Sequence, residues 1–488
     1  MLNPFSINFK YRQPGAGQCF ITLLITLLMG SCSINRVPDL HRLYERRPLT
    51  RDFKVNVNEV EPPVILVHGV FGARLRHRDT HQEAWPGGLM SLMFGSYDGI
   101  ALPIDEHTLQ PSLSELEANA ITDRAAGQDF YGAIIRTLNT VGGYVKGIPG
   151  EPVTDAKRRY YVLAYDWRQD NVQTAHRLDE LINAIRADYA NPNLRVDIVA
   201  HSMGGLATRY YLRYGTSDVL DSNDFPMNNH GASRVHKVIL LGTPNLGSVS
   251  GLSEFLRGFK VGLRSISTET LATMPSAYQL FPHPIRSAVI SVNGKILNRD
   301  LFDVNVWRAF QWSIFDPQVR NRIIQRFDNP QRGIQYLATL ERYFEKHLER
   351  ARRFVWSLTV PIEHNQVRHV VFGGDCELTP ARIVIENLKG DSLLRLHPHE
   401  IENPQPDIDY EKLMLEPGDG RVTKPSLFAR DALDPTIPRH RYSYFPMDHS
   451  ILLCESHDHL TGNISFQNNL LNILLTRDQP LTPGNMTQ

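Results

Sequence analysis

The sequence is short of several things, and each shortage narrows what the chain can be. No charge of one sign prevails: Lys plus Arg total 52 and Asp plus Glu total 52, so nothing draws the chain toward nucleic acid or another polyanion, and a neutral partner is expected. A hydrophobic run long enough to span a bilayer is missing, since the longest stretch, residues 19–29, falls well short of the roughly 20 residues a transmembrane helix needs. Internal repeats of solenoid length and low-complexity tracts are missing too, which sets aside repeat arrays and disordered arms. What remains is 488 residues, 42% hydrophobic and 21% charged. That is a globular chain, long enough for one large domain with insertions or for two to three ordinary ones.

The short apolar run is itself informative. Lys10 and Arg12 precede CFITLLITLLM, which is apolar apart from two threonines, and small residues follow; a basic start, a short apolar core and small residues make the layout of a secretory signal. The run closes on MGSC, similar to the lipobox of bacterial lipoproteins, which implies lipidation of Cys32 and a mature chain starting there. Ser33 after it implies the outer membrane of the bacterial cell envelope. Cysteine is scarce, four residues in all. With Cys19 leaving in the signal and Cys32 acylated, only Cys376 and Cys454 remain, in a compartment that permits disulfides. They are open to pairing or to remaining two thiols, and pairing is the expectation. Residues 33–60, polar and mixed in charge, suit a tether.

From residue 61 short β-branched runs recur, each running into Gly, Asp or Ser and then into a helical pattern: PPVILVHG (62–69), YYVLAYDW (160–167), LRVDIVAHS (194–202), VHKVILLGTP (235–244) and VRHVVFGGD (367–375). Continuous apolar strands of this kind suit a parallel sheet covered on both faces. Val172, Ala175, Leu178, Leu181, Ile182 and Ile185 recur at helical spacing between two of them. The sum is an α/β, mostly parallel, doubly wound domain over 61–475, followed by a polar tail. Residues 245–365 lose the strand rhythm and carry longer helical stretches such as LERYFEKHLERARRFVWSL, so a helical cap inserted over the strand ends is expected there.

Chemistry in such a sheet collects at the carboxyl ends of the strands. AHSMGG, residues 200–205, follows the strand RVDIVA and precedes the helical GLATRYYLRY. A nucleophile elbow needs that arrangement, with small residues two before and two after the serine; Ala200 and Gly204 meet the demand, and Ser202 is the expected nucleophile. An oxyanion hole needs two backbone N–H groups aimed at one point. Met203 is expected to supply one, and Val70 in HGVFG (68–72), with Phe71 beside it, the other. The α/β-hydrolase order of nucleophile, acid, histidine puts the base late in the chain. His449, ahead of the apolar SILLC and after the plausible last strand HRYSYFP, is the expected base; His457 and His459 in SHDHL are its rivals. Two histidines at His-x-His spacing without a third ligand do not make a metal site, and no metal or organic cofactor is called for. Two carboxylates compete as the acid: Asp375, directly after a strand, and Asp419, in the Gly-flanked turn GDGRV.

These pieces resemble the lecithin:cholesterol acyltransferase family and its relatives, within the lipase group of α/β-hydrolases. The resemblance rests on VILVHGVFGARL, AWPG (84–87), YDWR (165–168), AHSMGGLATRYYL, LGTPNLGS (241–248), MPSAYQLFP (274–282), GDGRV (418–422) and DHSILL (448–453) in family order, over about residues 61–475. It implies Ser202 as nucleophile, Asp419 as acid and His449 as base, while strand position keeps Asp375 as the alternative acid. Trp85 and Trp167 would line an acyl or headgroup site with Phe71. The sequence departs from the family's usual proline-glycine at His68 and Gly69, and from its threonine at Arg421. Asp166 is assigned to a structural pair with Arg168, not to the triad. The function so implied is a serine-dependent acyl ester hydrolase or O-acyltransferase acting on a lipid ester, anchored to a membrane through Cys32. The alternative is a catalytically silent α/β-hydrolase serving as a surface binding protein.

Overall fold

A computed structural model of the chain describes residues 61–475 apart from 89–92, 94–95, 126–127, 361–366, 389–390 and 430–446. The signal-like segment, Cys32 and the tether, the HRYSYFP stretch and the C-terminal tail therefore lie outside the described residues.

The centre is a seven-stranded sheet. Its strands are β1 (Val64–Val67), β2 (Val145–Lys146), β3 (Arg159–Leu163), β4 (Val196–His201), β5 (Val235–Leu241), β6 (Arg368–Gly374) and β7 (His449–Leu453). They lie in the order β7-β6-β5-β4-β1-β3-β2, and every neighbouring pair is parallel. The five β-branched runs are β1, β3, β4, β5 and β6. Their lack of apolar-polar alternation has a direct cause, because alternate side chains of one strand enter two different cores. Ile65 and Val67, Ile198 and Ala200, and Val238 and Leu240 pack into one core. Val64 and Leu66, Val199, and Ile239 and Leu241 pack into the other. Each buried Val, Leu or Ile among them stabilises the fold by about 1.5–3 kcal/mol relative to exposure.

Helices cover both faces. On the first, α1 (Asn171–Asp188) starts where the Asp170 side chain accepts the Val172 N–H, and Val172, Ala175, Leu178, Leu181, Ile182 and Ile185 are all buried. Beside it α2 (Met203–Tyr214) is buried at every one of its 12 residues. On the second face Leu470, Leu471 and Leu474 of α4 (Ile464–Leu475) share a core with Val370 and Phe372, and Phe466 of the same helix meets Phe372 edge-on at 5.0 Å. This is a doubly wound α/β-hydrolase sheet.

Two excursions leave it at the carboxyl ends of its strands. Between β5 and β6 the chain is mostly helical and ends in α3 (Pro330–Ser357). It also holds a hairpin of Phe259–Val261 with Arg264–Ile266. Between β6 and β7, Glu377–Pro380 pairs antiparallel with Leu415–Gly418, and that ribbon delivers Asp419 back to the end of the sheet. A disulfide between Cys376 and Cys454, with Cα atoms 5.0 Å apart, ties the residues just past β6 to those just past β7. No helix among the described residues is long and apolar enough to cross a membrane.

Candidate active site

β4 ends abruptly at His201 and α2 begins at Met203. Ser202 between them takes φ 53° and ψ −126°, a conformation a non-glycine residue avoids at a cost of about 1–3 kcal/mol. Its N–H donates to the Leu241 carbonyl of β5 at 2.8 Å, which holds the turn in place. The surroundings leave no room for larger neighbours. A Cβ on Gly204 would stand 2.3 Å from the His68 carbonyl oxygen, and one on Gly69 would stand 2.7 Å from the Ser202 Cβ. The glycines let the loop after β1 press against the serine turn.

His457 and Asp419 complete the site. The Asp419 carboxylate can only accept, so His457 Nδ1–H donates to its Oδ2, at 2.8 Å. That leaves Nε2 free to accept from the Ser202 hydroxyl, at 3.0 Å. The His457 backbone N–H also donates to the Asp419 carbonyl, 2.9 Å away. Asp419 Oδ1 takes the backbone N–H groups of Arg421 at 3.0 Å and Val422 at 2.7 Å. Ser202, His457 and Asp419 are all buried. Burial alone would push the His457 imidazolium to deprotonate; the Asp419 charge and hydrogen bond outweigh it, and the basicity of His457 ends above the ordinary value of 6.5.

The structure thus joins Ser202 and Asp419 through His457, and His449 is corrected as the base. His449 is the first residue of β7, exposed, and pairs with Val370 of β6. Val370 pairs with Ile239 of β5 and Ile239 with Val199 of β4. His449 therefore sits level with Val199, below the catalytic end of the sheet, and three strands away, roughly 14 Å at the usual strand spacing. HSILL is the last strand itself. His457, in the turn His457–Gly462 that follows it, is the histidine at a carboxyl end. Once HSILL is known to be a strand, the strand-end rule selects the histidine after SILL, not the one before it. His459 faces solvent and meets the Ser456 hydroxyl at 2.8 Å.

Asp375 is not brought to a histidine; it pairs with Lys424 Nζ at 3.3 Å. Asp166 binds Arg168 through two contacts of 2.8 and 2.7 Å, and the buried Arg168 also donates to the Ile100 carbonyl at 3.0 Å. That pair is structural. The arginine at position 421 does not disturb the acid turn, because Asp419 uses only its backbone N–H. Its guanidinium turns to Glu254 at 2.6 Å and Asp458 at 3.3 Å. His68 is fully buried, with a pKa lowered to about 4 chiefly by that burial. Its ring stacks on Tyr165 at 4.0 Å, which props the loop that follows β1.

A cavity of about 480 Å³ opens over Ser202 and His457. Its walls are largely apolar, from Val70, Phe71, Trp85, Phe259, Val261 and Leu280, with Glu254, Arg421 and Asp458 on one side. Phe71 and Trp85 reach it. Trp167 does not: it is fully buried, its indole N–H donates to the Ala73 carbonyl at 3.0 Å, and it meets Phe71 edge-on at 4.6 Å. It supports the wall from behind, which corrects the expectation of substrate contact. Among the described residues the backbone N–H groups of Val70 and Met203 donate to no protein acceptor; Met203 opens α2, whose first N–H groups have no partner within the helix, and Val70 lies in the turn after β1, lining the cavity with Ser202. No cluster among the described residues has the composition of a metal site.

Residues 156–343 match the family model of lecithin:cholesterol acyltransferase, a match that supports an acyl ester hydrolase or acyltransferase. Among solved structures, a chain of the Tle4-Tli4 complex is similar with a TM-score of 0.55 at 15% identity, over 85% of this chain and 98% of that one; a likeness at that identity speaks for the fold. Lipase 1 from Pelosinus fermentans gives a TM-score of 0.34 at 12% identity, over 86% of this chain and 100% of that one. A lipase from Bacillus licheniformis in its mature form gives 0.32 at 11%, over 86% and 94%. No curated protein matches the sequence.

Proposed function

We propose that the protein is a serine-dependent acyl ester hydrolase or O-acyltransferase that works on lipid esters through an acyl-Ser202 intermediate. The observation that carries this reading is the hydrogen-bonded line from Ser202 Oγ through His457 to Asp419, lying under a mostly apolar cavity. In the reaction His457 Nε2 takes the Ser202 proton as Oγ attacks the ester carbonyl, and Asp419 steadies the imidazolium that results. The oxyanion of the tetrahedral intermediate accepts from the N–H groups of Met203 and Val70, aided by the positive end of α2. His457 then returns the proton to the departing alcohol, and water or a second alcohol takes the acyl group by the reverse steps. The apolar walls suit an acyl chain.

The deciding experiment is labelling with a fluorophosphonate. Wild-type protein is expected to label at a single serine and Ser202→Ala not at all, with turnover of a panel of lipid esters lost in the same variant. Folded wild-type protein that neither labels nor turns over any ester would overturn the reading in favour of a silent binding protein. Product analysis with an added alcohol separates hydrolysis from transfer. We also propose a lipid anchor at Cys32 in the bacterial cell envelope, from the basic, apolar and MGSC order of the N-terminal sequence. Radiolabelled palmitate is expected to enter the wild-type chain and not Cys32→Ser; incorporation into both would refute the anchor.

A further inference from the structure

Tyr131 has no part in the proton transfers above, yet its hydroxyl occupies a singular place. It lies 2.9 Å from the backbone nitrogen of Gly69 and 2.8 Å from Nδ1 of His201. Gly69 directly precedes Val70, and His201 directly precedes Ser202. One hydroxyl therefore bridges the loop that carries an oxyanion donor to the segment that carries the nucleophile. These segments are 132 residues apart in sequence, counted from 69 to 201.

The polarity of the bridge follows from its members. The Gly69 N–H can only donate, so the Tyr131 oxygen accepts it. The single hydroxyl proton then goes to His201 Nδ1, which must be bare, and His201 carries its own proton on Nε2. A protonated His201 would break this order, because the hydroxyl would face two donors and its own proton would lose its acceptor. The site holds His201 neutral. Its burial, together with the His457 ring 5.0 Å away, lowers its pKa to about 3. Burial likewise keeps the Tyr131 phenol protonated.

We propose that Tyr131 is a positioning residue which, by clamping Gly69 to His201, keeps the Val70 N–H at the right distance from Ser202 to receive the oxyanion. The inference rests on the reading of Ser202 as an acylated nucleophile. It concerns a different link in the chain, the geometry of the hole and not the proton path. Tight approach alone does not fix that geometry. Gly69 and Gly204 allow the loop to come close, but contact between backbones does not stop it sliding, whereas a directional hydrogen bond at each end does. Tyr131 also lines the cavity, and its ring carries that contact without the hydroxyl, so substrate binding does not depend on the clamp. Transition-state stabilisation does, since the donors act where charge develops.

Tyr131→Phe removes the hydroxyl alone and is the test. We expect kcat for ester turnover to fall about 10–100-fold, the scale at which displacement of an oriented group by around 1 Å acts, with KM little changed. Affinity for a boronic acid that forms a tetrahedral adduct on Ser202 should fall by a similar factor, while fluorophosphonate labelling still runs to completion. A folded Tyr131→Phe protein that keeps wild-type kcat, or loses kcat while binding the boronic acid as wild type does, overturns the inference. Should that variant fail to fold, His201→Phe breaks the other leg of the clamp and carries the same expectations. A wild-type protein that neither labels nor turns over ester overturns the functional reading instead, so the two failures are distinct.

Discussion

His457→Ala is expected to lower ester turnover on the order of 10⁴- to 10⁶-fold, the range seen when a triad histidine is removed from a serine hydrolase. His449→Ala should leave turnover essentially unchanged. The contrast follows from position. His457 Nε2 stands 3.0 Å from Ser202 Oγ, so its loss leaves the hydroxyl with no base at the working pH, and an unassisted serine is a poor nucleophile. His449 is an exposed residue at the far end of an outer strand, where its imidazole touches neither the nucleophile nor the acid. Steady-state kinetics on one soluble ester, with melting temperatures to show that both variants fold, decides between them. Comparable losses in the two variants would contradict the assignment of the base.

Asp419→Asn should cost about 10⁴-fold in kcat, as loss of the carboxylate does in other triads. An asparagine NH₂ turned toward Nδ1 would favour the wrong tautomer, placing a proton on Nε2 where the serine needs an acceptor. Asp375→Asn should have little effect, since Asp375 meets Lys424 and no histidine. The two variants also differ in pH dependence. His457 must be neutral to act as base, and its basicity is raised above 6.5 because the Asp419 charge and hydrogen bond outweigh the opposing effect of burial. The acid limb of kcat/KM is therefore expected to have its midpoint above 6.5 in wild type. In Asp419→Asn burial acts with less opposition, and the limb should move toward lower pH. An unmoved limb would rule out Asp419 as the partner of the base.

The same linkage bears on stability with the opposite sense. A histidine whose folded pKa is raised contributes stability that is fully present below its unfolded value and is lost as pH rises through the folded value. The protonated pair of His457 and Asp419 thus favours the fold on the acid side, where the base is inactive. Stability and activity contributed by this residue run in opposite directions across the window above 6.5.

Much of this was legible in the chain. Five of the seven sheet strands announce themselves as β-branched runs ending in Gly, Asp or Ser, because a strand buried on both faces has no polar side to alternate with. β2, two residues long, offers no pattern to read. The elbow was legible for a steric reason, since only small side chains at positions 200 and 204 let the loop after β1 approach Ser202.

The histidine was not legible from residue type. His449 and His457 flank the same apolar run, and choosing between them requires knowing that HSILL is itself the edge strand and which end of it faces the site. Asp375 and Asp419 posed the same difficulty, as both follow strands. The ribbon of Glu377–Pro380 with Leu415–Gly418 turns Asp419 back toward His457 and leaves Asp375 beside Lys424. Trp85 and Trp167 are equally aromatic in sequence, and packing alone puts one at the cavity and the other behind its wall.

The sequence by itself determined the fold class, the strand-to-helix turn that carries Ser202 and the loop facing it, because these rest on local patterns of apolar runs and small residues within a few positions. Only the tertiary structure brought His457 and Asp419 to Ser202 and set the Tyr131 hydroxyl between Gly69 and His201. Hydrogen bonds between residues 38, 62, 70 and 255 positions apart depend on sheet register and crossover, which no local pattern encodes.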